Sequence, residues 1–186
     1  MKKYVIFAGV NGAGKSTLYQ ISDNIKGMKR INSDEIVRSF GDWNNADDVI
    51  KAGRIAVKTI SECFSNGISF NQETTLCGKT IIRNINKAKE LGYYVEMHYV
   101  GIDSAETAKK RIAYRVAHGG HGIPDKDVER RYTESLENLK SVIKMTDLAV
   151  LYDNTVRFRR FAIFIDGEQN YISDHIPVWY KEILDE

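Results

Sequence analysis

Residues 9–16, Gly9-Val10-Asn11-Gly12-Ala13-Gly14-Lys15-Ser16, constrain this chain more than any other part of it. They follow a continuous apolar run at residues 4–8 and open a helix-compatible stretch at 15–25. The pattern is G-x-x-x-x-G-K-[ST], a glycine loop between a strand and a helix. Glycine lets the backbone curl so that successive N–H groups converge on phosphate oxygens. The helix beginning near Lys15 adds the positive end of its dipole. Lys15 reaches the β- and γ-phosphates, and the Ser16 hydroxyl offers a ligand to Mg²⁺. Gly9, Val10, Asn11, Gly12, Ala13, Gly14, Lys15, Ser16 and Thr17 are therefore the expected nucleotide-binding residues. A glycine-rich turn that binds nothing is the alternative, and the strand–loop–helix context argues against it.

A buried strand feeding such a loop implies a parallel sheet, and the rest of the chain supports one. Weak or short strands are expected at 28–31 and 68–71, a fuller one at 93–101, and further strands at 148–152 and 160–165. Asp166-Gly167 is a hairpin signal ahead of a last strand at 170–173. Helices are expected at 35–40, at 46–66 with Val49, Gly53, Val57, Ile60 and Phe64 near one face, at 79–91, and at 177–184. Two more are expected after Ser104 and Asp125 as caps, the first with Ala105, Ala108, Ile112 and Val116 inward. Gly67 and Gly92 stop their helices. Alternating strands and helices give an α/β three-layer sandwich, a mostly parallel central sheet with helices on both faces. With 186 residues, no linker and no repeat, one domain spanning 1–186 is the expectation.

Composition narrows the partners. The net charge of +2 gives no reason to expect nucleic acid. No apolar run approaches the ~20 residues that cross a bilayer. Residues 1–8 run straight into the strand, so no secretory leader is expected. Cys63 and Cys77 then read as free thiols in a reducing, cytoplasmic setting. The guanine motif N-K-x-D is absent, since Asn86-Lys87 is followed by Ala88-Lys89. That favours ATP over GTP.

In doubly wound sheets, ligands sit beyond the carboxyl ends of the strands. Asp34, in Asn32-Ser33-Asp34-Glu35, and Glu73, in Gln72-Glu73-Thr74-Thr75, fall at such ends. One carboxylate can take a proton from an acceptor hydroxyl; the other can hold Mg²⁺ through water or bind substrate. The bland reading makes Asp34 a helix cap and Glu73 a solvated loop residue. Asn154, after the strand at 148–152, is a candidate for the adenine side. Residues 111–131 form a helical flap around Gly119-Gly120-His121-Gly122-Ile123-Pro124. Arg111, Arg115, Arg130 and Arg131 on it can close over phosphates and neutralise charge. The alternative is a solvated hairpin. His118 and His121 lack further ligands at metal-binding spacing, so a phosphate or substrate contact is the better use for them. Cys63 and Cys77 read as structural thiols, Trp43 and Trp179 as packing or surface residues, and Arg157, Arg159 and Arg160 as a solvated strand edge.

The glycine loop, Asn32-Ser33-Asp34-Glu35, Phe70-Asn71-Gln72-Glu73-Thr74-Thr75-Leu76 and the stretch from Arg115 to Pro124 occur in the order found in the zeta toxin family, which residues 3–155 resemble. The resemblance implies a P-loop kinase fold. It also implies ATP/Mg²⁺-dependent phosphorylation of a nucleotide sugar, UDP-N-acetylglucosamine, at a sugar hydroxyl. On it, Asp34 matches the catalytic base, Glu73 and Thr74 the substrate-binding pair, and Arg111 or Arg115 the first phosphate-contacting arginine. The family's second arginine stands just ahead of a proline. Here that position is glycine and histidine, leaving Arg130 or Arg131 as the substitute. The resemblance further implies an antitoxin partner. Two readings of other classes compete: a polynucleotide kinase, which needs a basic, aromatic-lined groove, and a non-enzymatic, ATP-gated binding module.

Overall fold

The computed structural model describes residues 1–185. Seven strands form one sheet in the order β2-β3-β1-β4-β5-β6-β7. They are β1 Lys3–Ala8, β2 Lys29–Ile31, β3 Phe70–Thr74, β4 Tyr94–Gly101, β5 Leu148–Asp153, β6 Arg159–Ile165 and β7 Glu168–Ile172. The pairs from β2 through β5 are parallel; β5–β6 and β6–β7 are antiparallel. The helices are α1 Lys15–Ile21, α2 Ser33–Phe40, α3 Ala46–Ser65, α4 Lys79–Glu90, α5 Ala105–Ala117, α6 Asp125–Met145 and α7 Val178–Asp185.

Alternation along β1 divides the core. Val5 and Phe7 face α1 and α5, packing against Leu18, Ala108 and Ile112. Tyr4, Ile6 and Ala8 face the other layer, with Ile60 and Phe64 of α3, Ile81 and Ile85 of α4 and Trp179 of α7. Helix α6 serves both layers: Val128 packs with the first cluster, Leu139 and Val142 with the second. It therefore passes the carboxyl end of the sheet. Strand β1 lies between β3 and β4, so the chain winds outward from it in both directions, and the glycine loop leaves from this switch point.

Several expectations shift. The first helix ends at Ile21, because Ser22 turns its hydroxyl back onto the Leu18 carbonyl (2.7 Å) and a 3₁₀ turn, Asp23–Ile25, follows. The third strand begins at Phe70, so Glu73 and Thr74 stand on it rather than after it; Ile68 is exposed. Helix α3 buries Ala52, Ala56, Ile60, Cys63 and Phe64, while Val49 and Val57 are exposed. The small alanines let α3 approach closely, and that outweighs the larger valines. Val116 likewise faces solvent. Asp125 does not cap α6; Pro124 holds the cap position and Asp125 lies in the first turn, where its charge suits the dipole. Nor does Asp34 cap α2: the Asn32 side chain does, accepting from the Asp34 N–H at 2.8 Å. Ser104 caps α5 as expected, accepting from the Thr107 N–H at 3.2 Å. Asp166 and Gly167 both adopt positive φ (50° and 79°), the conformation of a tight hairpin turn. Among the described residues, no helix is long and apolar enough to cross a membrane.

Candidate active site

The glycine loop is fixed by what surrounds it. Gly9 has φ 135°, and a Cβ there would stand 2.2 Å from the Val100 carbonyl of β4. Gly14 has φ 108° and lies against the Asn154 amide. That amide donates to the Ala13 carbonyl at 2.8 Å, so Asn154 props the loop from behind. Arg111 donates to the carbonyls of Asn154 (2.6 Å) and Thr155 (3.0 Å), with a longer contact to Gly12 (3.4 Å). Lys15 is buried, its ammonium on the Val10 carbonyl at 3.1 Å. Burial pushes its pKa down, and the carboxylates of Glu73 and Asp34 oppose that shift.

Glu73 is the hub of the next layer. Its carboxylate accepts from Ser16 Oγ (2.9 and 3.2 Å), from Arg30 (2.8 Å) and from the Asn32 amide (2.9 Å). Arg30 in turn stacks on Tyr19, its guanidinium carbon 3.4 Å from the ring centre, and bonds Glu35 at 2.8 Å. Strand β3 ends in a sharp turn at Leu76, a buried leucine at φ 64°. Thr74 Oγ1 accepts from the Leu76 N–H at 3.1 Å, which helps hold this turn and leaves the hydroxyl's own proton to donate. The turn presents Thr75 and Cys77 to the same space.

Two cavities meet at these residues. One, of about 270 Å³, is lined by Gly12, Gly14, Ser16, Thr17, Arg111 and Arg115. The other, of about 610 Å³, is walled by α2, β3, α6 and the α5–α6 connection, with Thr74, His121 and Arg131 in its lining. Asn11, Lys15, Asp34 and Glu73 line both. Arg131 reaches across from α6 to Asn11 Oδ1 at 3.0 Å. Arg115 donates to the His121 carbonyl at 2.9 Å, while its buried Nε has no partner among the described residues. Arg130 is exposed and spent on Asp127 and Glu134.

Of the sequence-derived site residues, Lys15, Ser16, Asp34, Glu73, Thr74, Arg115, His121 and Arg131 converge here. Asn154 and Arg111 support the loop instead of projecting a free group into the larger cavity. Sequence reasoning missed Arg30 and Asn32, whose only signal is their place next to Ser33-Asp34. It also missed Trp43, a lone aromatic in the polar stretch 41–45.

The family model for zeta toxins matches residues 1–162. The chain belongs to the zeta toxin family. An uncharacterized protein of Haemophilus influenzae is 37% identical over 130 residues, 70% of this zeta-family chain and 92% of its own length. The fold agrees. AvrRxo1-ORF1:-ORF2, crystallised with ATP, superposes with TM-score 0.73 at 16% identity, over 92% of this chain and 60% of that one. This zeta-family chain thus spans about three-fifths of that structure. A chain of the PezAT chromosomal toxin-antitoxin system of Streptococcus pneumoniae gives TM-score 0.62 at 15% identity, covering all of this chain and 78% of its own. Family and fold agree on an α/β sandwich built around a mostly parallel central sheet.

Proposed function

We propose that this zeta-family chain is an ATP-dependent kinase that moves the γ-phosphoryl group onto a hydroxyl of a small acceptor, a nucleotide sugar such as UDP-N-acetylglucosamine. One observation carries the reading. A smaller cavity along the glycine loop and a larger cleft open onto a common wall of Lys15, Asp34, Glu73 and Asn11. That is the layout an in-line transfer between two bound molecules needs.

The loop amides of residues 9–17 cradle the phosphates of ATP, and Lys15 neutralises charge gathering on the γ-phosphoryl oxygens. Ser16 Oγ with Glu73 is an all-oxygen donor set, which fits a hard cation such as Mg²⁺. Ser16 would hold the ion directly and Glu73 through water. When bound, Mg²⁺ withdraws charge from the phosphates. Asp34 accepts the acceptor's hydroxyl proton while that oxygen bonds to the γ-phosphorus; the bond to the β,γ-bridging oxygen breaks and ADP leaves. Arg115, which lines the smaller cavity, meets the transferring group from the flap at 111–131, and Arg111 keeps the loop in register beneath it. Arg131, Thr74 and His121 line the acceptor's side. Asn154 shapes the loop's rear wall toward the nucleotide.

The cleft also speaks against a polyanionic strand as acceptor. Asp34, Glu73, Asp127 and Glu134 all line it, interleaved with its basic groups. An antitoxin partner belongs to this reading, because PezAT is described as a toxin-antitoxin system. A cytoplasmic setting does too, since ATP is available there and both cysteines are free thiols.

The test is ATP consumption with Mg²⁺, with and without UDP-N-acetylglucosamine, followed by mass spectrometry of the sugar nucleotide. Wild type should form the phosphorylated product; Lys15→Ala and Asp34→Asn should form it more slowly by about 100-fold or more. Tight ATP binding without product would overturn the acceptor assignment.

A further inference from the structure

Trp43 stands where α2 hands over to α3, on a turn that is braced from both sides. The Asp42 N–H donates to Asp48 Oδ2 at 3.0 Å, and Asp42 Oδ1 accepts from the Asn44 N–H at 2.9 Å. The indole leaves this turn toward the larger cavity and stacks on the His121 imidazole, with centroids 3.9 Å apart and planes 11° from parallel. His121 comes from the opposite wall, the α5–α6 connection. Its side chain is only 10% exposed. Its Nε2 lies 3.6 Å from Asp34 Oδ2 and 3.4 Å from an Arg115 nitrogen, and its carbonyl accepts from that same nitrogen. Gly120 makes the approach possible, because a Cβ there would stand 2.5 Å from Arg115 Cγ.

We propose that Trp43 is a positioning residue of the phosphoryl-transfer site: by clasping His121 it docks the flap and sets Asp34 and Arg115 relative to each other. The proposal rests on the phosphotransfer reading for its consequence, not for its geometry. A parallel stack at this distance fixes both the depth and the tilt of the imidazole. The imidazole then touches the candidate base and the candidate phosphate-binding arginine at once. Without the indole, His121 has no aromatic partner across the cleft. The flap loses that tie, and the Asp34–Arg115 geometry loosens by the fraction of an ångström that transfer chemistry feels. The Val37–Trp43–Val49 side of the cleft would at the same time lose the indole surface, so an acceptor would also enter less well guided.

Two measurements on full-length Trp43→Ala and Trp43→Phe decide it. The first is the pH titration of the His121 ring by NMR, which needs no acceptor. Burial lowers the wild-type His121 pKa, the charge of Arg115 lowers it further, Asp34 raises it, and Arg38 is the other charged group facing the ring. Trp43→Ala relieves burial, so the titration should move up toward the ordinary histidine value; Trp43→Phe should restore it. The second is transfer from ATP to UDP-N-acetylglucosamine. Trp43→Ala should lower kcat about 10-fold, the cost of a misplaced catalytic pair, with ATP affinity unchanged. Trp43→Phe should recover most of the loss. An unmoved His121 titration in Trp43→Ala overturns the clasp. A moved titration with undiminished kcat overturns the positioning role. Failure of wild type to phosphorylate the sugar nucleotide would instead sink the proposed acceptor, and the titration would still decide the clasp.

Discussion

The two cavities that meet at Lys15 are built on opposite principles. The phosphate side is main chain, fixed by close packing and by side chains that bond to its carbonyl oxygens. Gly9 lies against a carbonyl of β4, and Asn154 and Arg111 tie the loop to the end of β5 by bonds to main-chain oxygens. The acceptor side is made of side chains from α2, β3, α6 and the α5–α6 connection, joined by contacts such as Arg131 on Asn11 and Trp43 on His121. The first has its main-chain contacts in place without a ligand. The second depends on several elements agreeing, and can adapt.

Substitutions should separate the two sides. Lys15→Ala should reduce transfer most, about 10³-fold, by removing the charge at the shared wall. It should weaken ATP binding too, which calorimetry would detect. Asp34→Asn should cut kcat by roughly 10²-fold or more while ATP affinity stays as in wild type. An equal loss of ATP affinity would mean that Asp34 belongs to the phosphate side, and the comparison would break. Gly9→Ala probes rigidity directly. With the Val100 carbonyl in the way and φ at 135°, it should destabilise the fold by about 3 kcal/mol in urea unfolding.

The same division governs what could be read from the chain itself. The loop was legible because its chemistry is local: eight consecutive residues specify both the conformation and the ligand. The sheet was legible because a parallel strand buried on both faces, such as β1, reads as an unbroken apolar run. Register was not. Ile68 is a better strand residue than Thr74 by propensity, yet pairing with β1 places Phe70 against Tyr4 and Thr74 against Ala8, and so decides where β3 lies. The inward face of α3 was misjudged for a related reason. Ala52 and Ala56 are buried, Ala56 among the core residues of the sheet's face, and nothing in the helix's own periodicity reports how closely its neighbours pack. Asp34 and Glu73 could be named from their place at strand ends. Arg30 and Trp43 could not, since each acts through a partner far along the chain.

The smallest expected effects discriminate most sharply between the two sides. Arg111 and Arg131 are both half-buried arginines near the nucleotide loop, and sequence offers no way to rank them. Arg111 donates only to backbone carbonyls around the loop, so Arg111→Ala removes a brace. Its effect should appear as weaker ATP binding, about 10-fold, the size of one charge-assisted hydrogen bond lost. Arg131 touches the loop through the Asn11 side chain and otherwise lines the larger cavity. Arg131→Ala should therefore raise the acceptor KM by a factor of about 5 while leaving the ATP Kd within twofold, again the scale of a single polar contact. Measuring both constants on both variants gives a two-by-two result. A crossed pattern, each arginine affecting one ligand, supports a rigid phosphate side facing an adaptable acceptor side. If Arg131→Ala weakens ATP as much as Arg111→Ala does, then the α6 arginine closes over the nucleotide, and the boundary between the two cavities moves to the far side of Asn11.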